Sequence, residues 1–67
     1  MAVARVSEIT ASSALGWQEA VNEALTRANK TIRGLTGLEV VSMKAKIEDG
    51  NIAEYRVTVK ITFILEE

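Results

Sequence analysis

In "EYRVTVKITFIL" the odd positions Tyr55, Val57, Val59, Ile61, Phe63 and Leu65 are all apolar, whereas Arg56, Thr58, Lys60 and Thr62 between them are polar. That period of two predicts a half-buried strand. "LEVVSMKAKI" repeats it, with Val41, Met43, Ala45 and Ile47 on one face and Ser42, Lys44 and Lys46 on the other. Upstream the spacing changes. Trp17, Ala20, Val21, Ala24, Leu25, Ala28 and Ile32 recur at the interval of one helix face and predict a helix over 17–33. Gly16 is its expected N-cap, with Ser12 or Ser13 as alternatives for an earlier first turn, and Glu19 favours the positive end of the dipole. Glu23 and Arg27 form an i, i+4 pair, Lys30 and Arg33 sit near the negative end, and Gly34 stops the helix. Val3 to Ile9 is β-branched enough for a first strand, although Arg5 and Ser7 share parity with Val3 and Ile9. "TASSALG" has the composition of a loop.

The last two strands form a hairpin. Both bury odd positions, and residues paired across an antiparallel ladder share a face, so their connection holds an odd number of residues. The simplest solution is a three-residue loop, Asp49-Gly50-Asn51, unless a bulge resets the register. This places Ala45 opposite Tyr55, Met43 opposite Val57 and Val41 opposite Val59 on a face that one amphipathic helix covers. On the other face Lys46 meets Glu54, and Lys44 meets Arg56, a like-charge pair. Both long side chains are expected to diverge into solvent or to reach a carboxylate of a neighbouring subunit; an anionic ligand is the alternative partner.

Strand, helix, strand, strand describes an α+β fold, β-α-β-β. A helical crossover leaves the first two strands parallel, so an all-antiparallel sheet needs the third between them, order 1-3-2. One helix then packs on a three-stranded antiparallel sheet. Its second face is expected to carry Leu38, Val40 and Ile64 among polar residues and to be buried against other subunits.

Composition sharpens that expectation. In a chain of 67 residues, taken as one domain (1–67), 48% of residues are apolar but only 4% are aromatic, so the core is built from small aliphatic side chains. Below about 70–80 residues a single core rarely suffices without staples. Cys and His are both absent, which removes disulfides and the usual zinc sites. Association between subunits is the remaining route to stability. A net charge of −1 gives no global reason to expect nucleic acid or an anionic membrane. With neither a transmembrane run nor a signal peptide, the expectation is a cytoplasmic protein.

Candidate chemistry is sparse. Ser12 and Ser13 have no His for a nucleophilic dyad, and catalysis is unsupported. Trp17 lies on the helix stripe and Met43 on the strand's apolar row, so both are expected in the core. "EDGN" is explained by hairpin turn chemistry. Glu48, Asp49, Glu54, Glu66 and Glu67 offer oxygen ligands that could hold a cation at a subunit junction.

The chain resembles the dodecins, small strand-helix-strand-strand proteins that assemble into hollow dodecamers and commonly bind flavins. The resemblance rests on "ITASSALGWQEAV", on "ALTRANKTIRGL" and on "EYRVTVKITFILEE", in that order and spacing. It implies a homododecamer that stores or sequesters FMN or riboflavin. In flavin-binding dodecins a Trp at the start of the second strand stacks on the isoalloxazine, and a Gln after the closing strand's Tyr hydrogen-bonds the flavin. Gly37 and Arg56 stand at those places here, so neither role carries over. Arg56 and Lys44 remain able to meet a ring or a phosphate. Gly37 is expected where only backbone fits, at a turn or a close approach between subunits. Three functions compete: a shell binding a flavin or another planar anionic ligand, with Lys44, Arg56 and Gly37 as candidate contacts; a ligand-free structural or interaction shell; and a cation-binding assembly.

Overall fold

The structure is a computed structural model that describes residues 3–65. Its elements are β1 (Val3–Ser13), α1 (Trp17–Thr31), β2 (Leu35–Glu48) and β3 (Asn51–Leu65). The sheet is antiparallel throughout in the order β1-β3-β2, the topology expected from the strand pattern.

Three alanines let the helix lie close to the sheet. Ala20, Ala24 and Ala28 are buried against Val57, Val59 and Ile61 of the central strand, and these six residues form the core. Ile9, Ala11, Trp17, Val21, Ile32 and Leu35 pack around it. Every odd residue of β3 from Tyr55 to Phe63 thus points as its period requires. A helix rises about 1.5 Å per residue and a strand about 3.3 Å, so fifteen helical residues span less than half the length of the fifteen-residue β3. The chain extends 52 Å along its long axis. α1 packs on β1 and β3, and past Leu35 the helix-side face of β2 lies to one side of it.

Four local expectations need correction. First, β1 does not stop at Ile9 but runs to Ser13, through residues expected in a loop. Ladder pairing of Ala11 with Val57, Ser12 with Arg56 and Ser13 with Tyr55 outweighs their poor strand composition. The turn that follows is tied by the Leu15 N–H, which donates to Ser13 Oγ at 3.0 Å.

Second, the helix ends at Thr31 instead of residue 33. Ile32 is already extended (φ −122°, ψ 136°) while its N–H still donates to the Ala28 carbonyl. Leaving the helix there turns Ile32 onto the core. Gly34, at φ +75°, then reverses the chain into β2, and its carbonyl accepts from the Ile64 N–H at 3.0 Å. A Cβ at Gly34 would lie 3.1 Å from the Ile64 carbonyl oxygen, so both conformation and space select glycine. At the other end Gly16 is the N-cap and its carbonyl accepts from Ala20, as expected.

Third, the hairpin has a two-residue turn. Asp49 (φ 51°) and Gly50 (φ 78°) are both left-handed, matching the right-handed twist of the flanking strands. Glu48 faces Asn51 and Ile47 faces Ile52. A bulge at Ala53 then restores parity, so that Lys46 faces Glu54, Ala45 faces Tyr55 and Met43 faces Val57. This is the bulge that the equal parity of the two strands requires if the loop is short.

Fourth, a second irregularity at Val41 moves the register again, and Val40, instead of Val41, faces Val59. Leu38 and Val40 consequently share the helix side of the sheet with Ile61 and Val59, not the opposite face. They are 37% and 43% exposed because α1 does not reach them. Met43, expected in the core, is 53% exposed for the same reason.

The core assigns most of the subunit's stability to very few side chains. Ile61→Ala should lower the unfolding free energy by about 2–5 kcal/mol, read as a fall in the urea midpoint at fixed protein concentration. Gly34→Ala should cost more than about 1 kcal/mol, since the native backbone there is left-handed.

Candidate functional site on the outer face of the sheet

Even-numbered residues of β3 point away from the helix, and the registers of both neighbours extend them into rows across the sheet. The rows read Ser12–Arg56–Lys44, Thr10–Thr58–Ser42, Glu8–Lys60–Glu39 and Val6–Thr62–Gly37. Most of this outer face is therefore a surface of hydroxyls and charges, and Ile64, paired with Ala4, adds an apolar end beside Val6, where it was expected. Thr10 and Thr58 are joined by a 2.9 Å hydrogen bond between their hydroxyls.

Lys44 and Arg56 are direct cross-strand partners, as expected. The repulsion is met inside the same strand. Arg56 Nη2 donates to Glu54 Oε2 at 3.2 Å and lies 3.5 Å from Oε1. Alternation along β3 places Glu54 and Arg56 on one side, which is why the i, i+2 pair meets. Lys46 lies opposite Glu54 in the register, yet its ammonium approaches Glu48 at 3.6 Å. Lys44 makes no ion pair among the described residues. Together Lys44, Ala45, Lys46, Glu54 and Arg56 line a shallow recess of ≈ 270 Å³.

Gly37 is on the same face but not beside this pair. Its partner Thr62 stands six residues along β3 from Arg56, roughly 20 Å at the rise of a strand. Nor does the subunit need a glycine there. A Cβ would meet Thr62 Cβ at 3.8 Å and Oγ1 at 4.0 Å, ordinary contact distances, on a backbone outside the left-handed region. The turn explanation for Gly37 therefore fails.

The three aromatic residues lie elsewhere. Tyr55 and Phe63 belong to the odd, helix-facing row, and Trp17 meets Tyr55 edge-on with centroids 4.9 Å apart at 79°. Trp17 is thus the anchor expected at the helix start, in a favoured aromatic geometry. The pairing of Glu54 with Arg56 was hidden by the assumption that opposed residues bind each other. Its signal was available in the alternation itself.

Of the carboxylates considered for a cation, Glu66 and Glu67 lie outside the described residues. Among the described residues no three acidic side chains gather into a group that could hold a metal ion. No described helix is long and apolar enough to cross a membrane.

The fold has known counterparts. A family model for dodecin matches residues 3–66. The chain belongs to the dodecin family. The dodecin of Thermus thermophilus is 37% identical over 60 residues, 90% of this chain and 87% of that one. A crystal structure of a point mutant of a T. thermophilus dodecin superposes with a TM-score of 0.96 at 34% identity, covering 100% of both chains. The Streptomyces coelicolor dodecin reaches 0.93 at 41% identity, over 98% of this chain and 94% of the other. A more distant dodecin from Mycobacterium tuberculosis, described as calcium-chelating, reaches 0.82 at 25% identity, over 96% and 91%. The subunit described here thus has the dodecin topology, one helix on a 1-3-2 sheet.

Because Gly37 has room for a side chain, Gly37→Ala should change subunit stability by no more than about 0.5 kcal/mol, in contrast to Gly34→Ala. Parallel urea titrations of the two variants check this.

Proposed function

We propose that this dodecin is a non-enzymatic, self-associating cytoplasmic protein, a homododecamer by family analogy, that stores or sequesters a planar ligand carrying an anionic group, of the FMN class. The observation that carries the proposal is the uncovered aliphatic row on the helix side of β2. Leu38, Val40 and Met43 stand there beyond the helix, 37%, 43% and 53% exposed, on a subunit whose buried core is six residues. Apolar surface of that kind is stabilised by a second copy of the chain, at roughly 25 cal/mol for each Å² removed from water.

The residues of the outer face fit one half of a flavin. Lys44 and Arg56 are suited to a phosphate, whereas Gly37, Thr62 and Val6 offer no ring on which an isoalloxazine could stack. Gly37 is also far from Lys44 and Arg56 within one subunit. A ligand touching both must therefore sit between subunits.

The cation reading has less support. Glu54 and Glu48 are engaged by Arg56 and Lys46 at 3.2 and 3.6 Å, although the M. tuberculosis relative is described as calcium-chelating.

Light scattering on dilute protein should give a mass several times the 7.3 kDa of one chain. Equilibrium dialysis against FMN, which does not depend on ring stacking for its signal, should show retention at micromolar protein. A folded monomer would remove the assembly. An oligomer that retains neither FMN nor riboflavin would leave a shell without this ligand.

A further inference from the structure

We infer that this chain selects its ligand by an anionic group and not by a ring, through an anion site formed by Lys44 and Arg56 on the outer face of the sheet. The ligand class it names rests on the binding function proposed above; the site itself does not. Direct cross-strand partners have Cα atoms about 4.5–5.5 Å apart, so two cations there are held close by the ladder and cannot separate at the backbone. One carboxylate serves them. Glu54 uses Arg56 Nη2 alone, leaving the other edges of the guanidinium fork, and Lys44 has no carboxylate among the described residues.

The charge around the recess is unbalanced. Its lining carries Lys44, Lys46 and Arg56 against Glu54, and Lys46 is drawn towards Glu48 at 3.6 Å. Ser12 continues the row on the far side of Arg56 with a hydroxyl donor. An arginine fork, a lysine point charge and a serine hydroxyl are groups that recognise a phosphate.

The opposite half of the argument is the absence of a platform. Tyr55 and Phe63 point to the helix side of the sheet and Trp17 packs beside Tyr55, so none of these rings is on the face that carries the cations. Phosphorylated ligands of different ring systems should then compete for one site. Loss of the phosphate should weaken binding about tenfold to a hundredfold, the scale of a charge-assisted hydrogen bond.

The test uses the native assembly. Inorganic pyrophosphate should raise the Tm beyond chloride at matched ionic strength, and Lys44→Gln and Arg56→Gln should each reduce the shift. Both side chains are on the exposed face, and circular dichroism with solution mass verifies that the variants fold and assemble. In dialysis FMN should be held about tenfold to a hundredfold more tightly than riboflavin, with AMP displacing it. Pyrophosphate stabilisation without FMN retention would support the anion site while defeating the FMN proposal. Retention of FMN and riboflavin with equal affinity would leave the storage function standing and overturn this inference. So would pyrophosphate acting no better than chloride, the result expected if a neighbouring subunit's carboxylate already neutralises the pair.

Discussion

The mismatch in area between one helix and a three-stranded sheet governs this molecule. A residue in a strand carries the chain more than twice as far as a residue in a helix, so α1 shields only part of the sheet beneath it. Where it lies, the alanine stripe brings it close enough to exclude water from Val57, Val59 and Ile61 completely. Beside it, aliphatic side chains of β2 face outward, because α1 packs on β1 and β3 and leaves Leu38, Val40 and Met43 uncovered although they lie opposite the buried Ile61, Val59 and Val57. The subunit has a dry centre and an unfinished arm, and the arm is where a dodecin's neighbours have something to gain by binding.

The two faces of the sheet divide the labour. Aromatic side chains and the buried aliphatic ones of β3 are on the helix side, set by the period of that strand, with Trp17 and Tyr55 locked edge to face. The opposite side receives Arg56, Thr58, Lys60 and Thr62 with their partners from β1 and β2. The row Glu8–Lys60–Glu39 alternates in sign, whereas Ser12–Arg56–Lys44 does not. That imbalance makes one end of the outer face electrostatically distinct. It arises from register, since a slip by one residue would exchange the faces of a whole strand.

Much of this was legible in advance. Helix spacing gave the start of α1 to the residue, and the odd row of β3 identified the core strand and the face that carries Arg56. The opposition of Lys44 and Arg56 followed from parity, and so did the alternative of a short turn plus a bulge. Of the two backbone readings of Gly37 the turn fails, because its extended strand position and the ordinary contact distance to Thr62 are invisible in one dimension. Glu54 was assigned to Lys46 because pairing across strands was weighed ahead of pairing along one.

By itself the sequence determined which segments are helix and strand, which residues of the central strand point inward, and the strand order that an antiparallel sheet must then have. These follow from periodicity and chain connectivity, which are properties of the covalent chain. Only tertiary structure decided where β1 ends, where α1 releases Ile32, and that Val40 in place of Val41 stands opposite Val59. Bulges and helix ends are settled by hydrogen-bond partners and packing supplied by distant residues. A period of two persists on either side of a bulge and does not mark the point where the faces exchange.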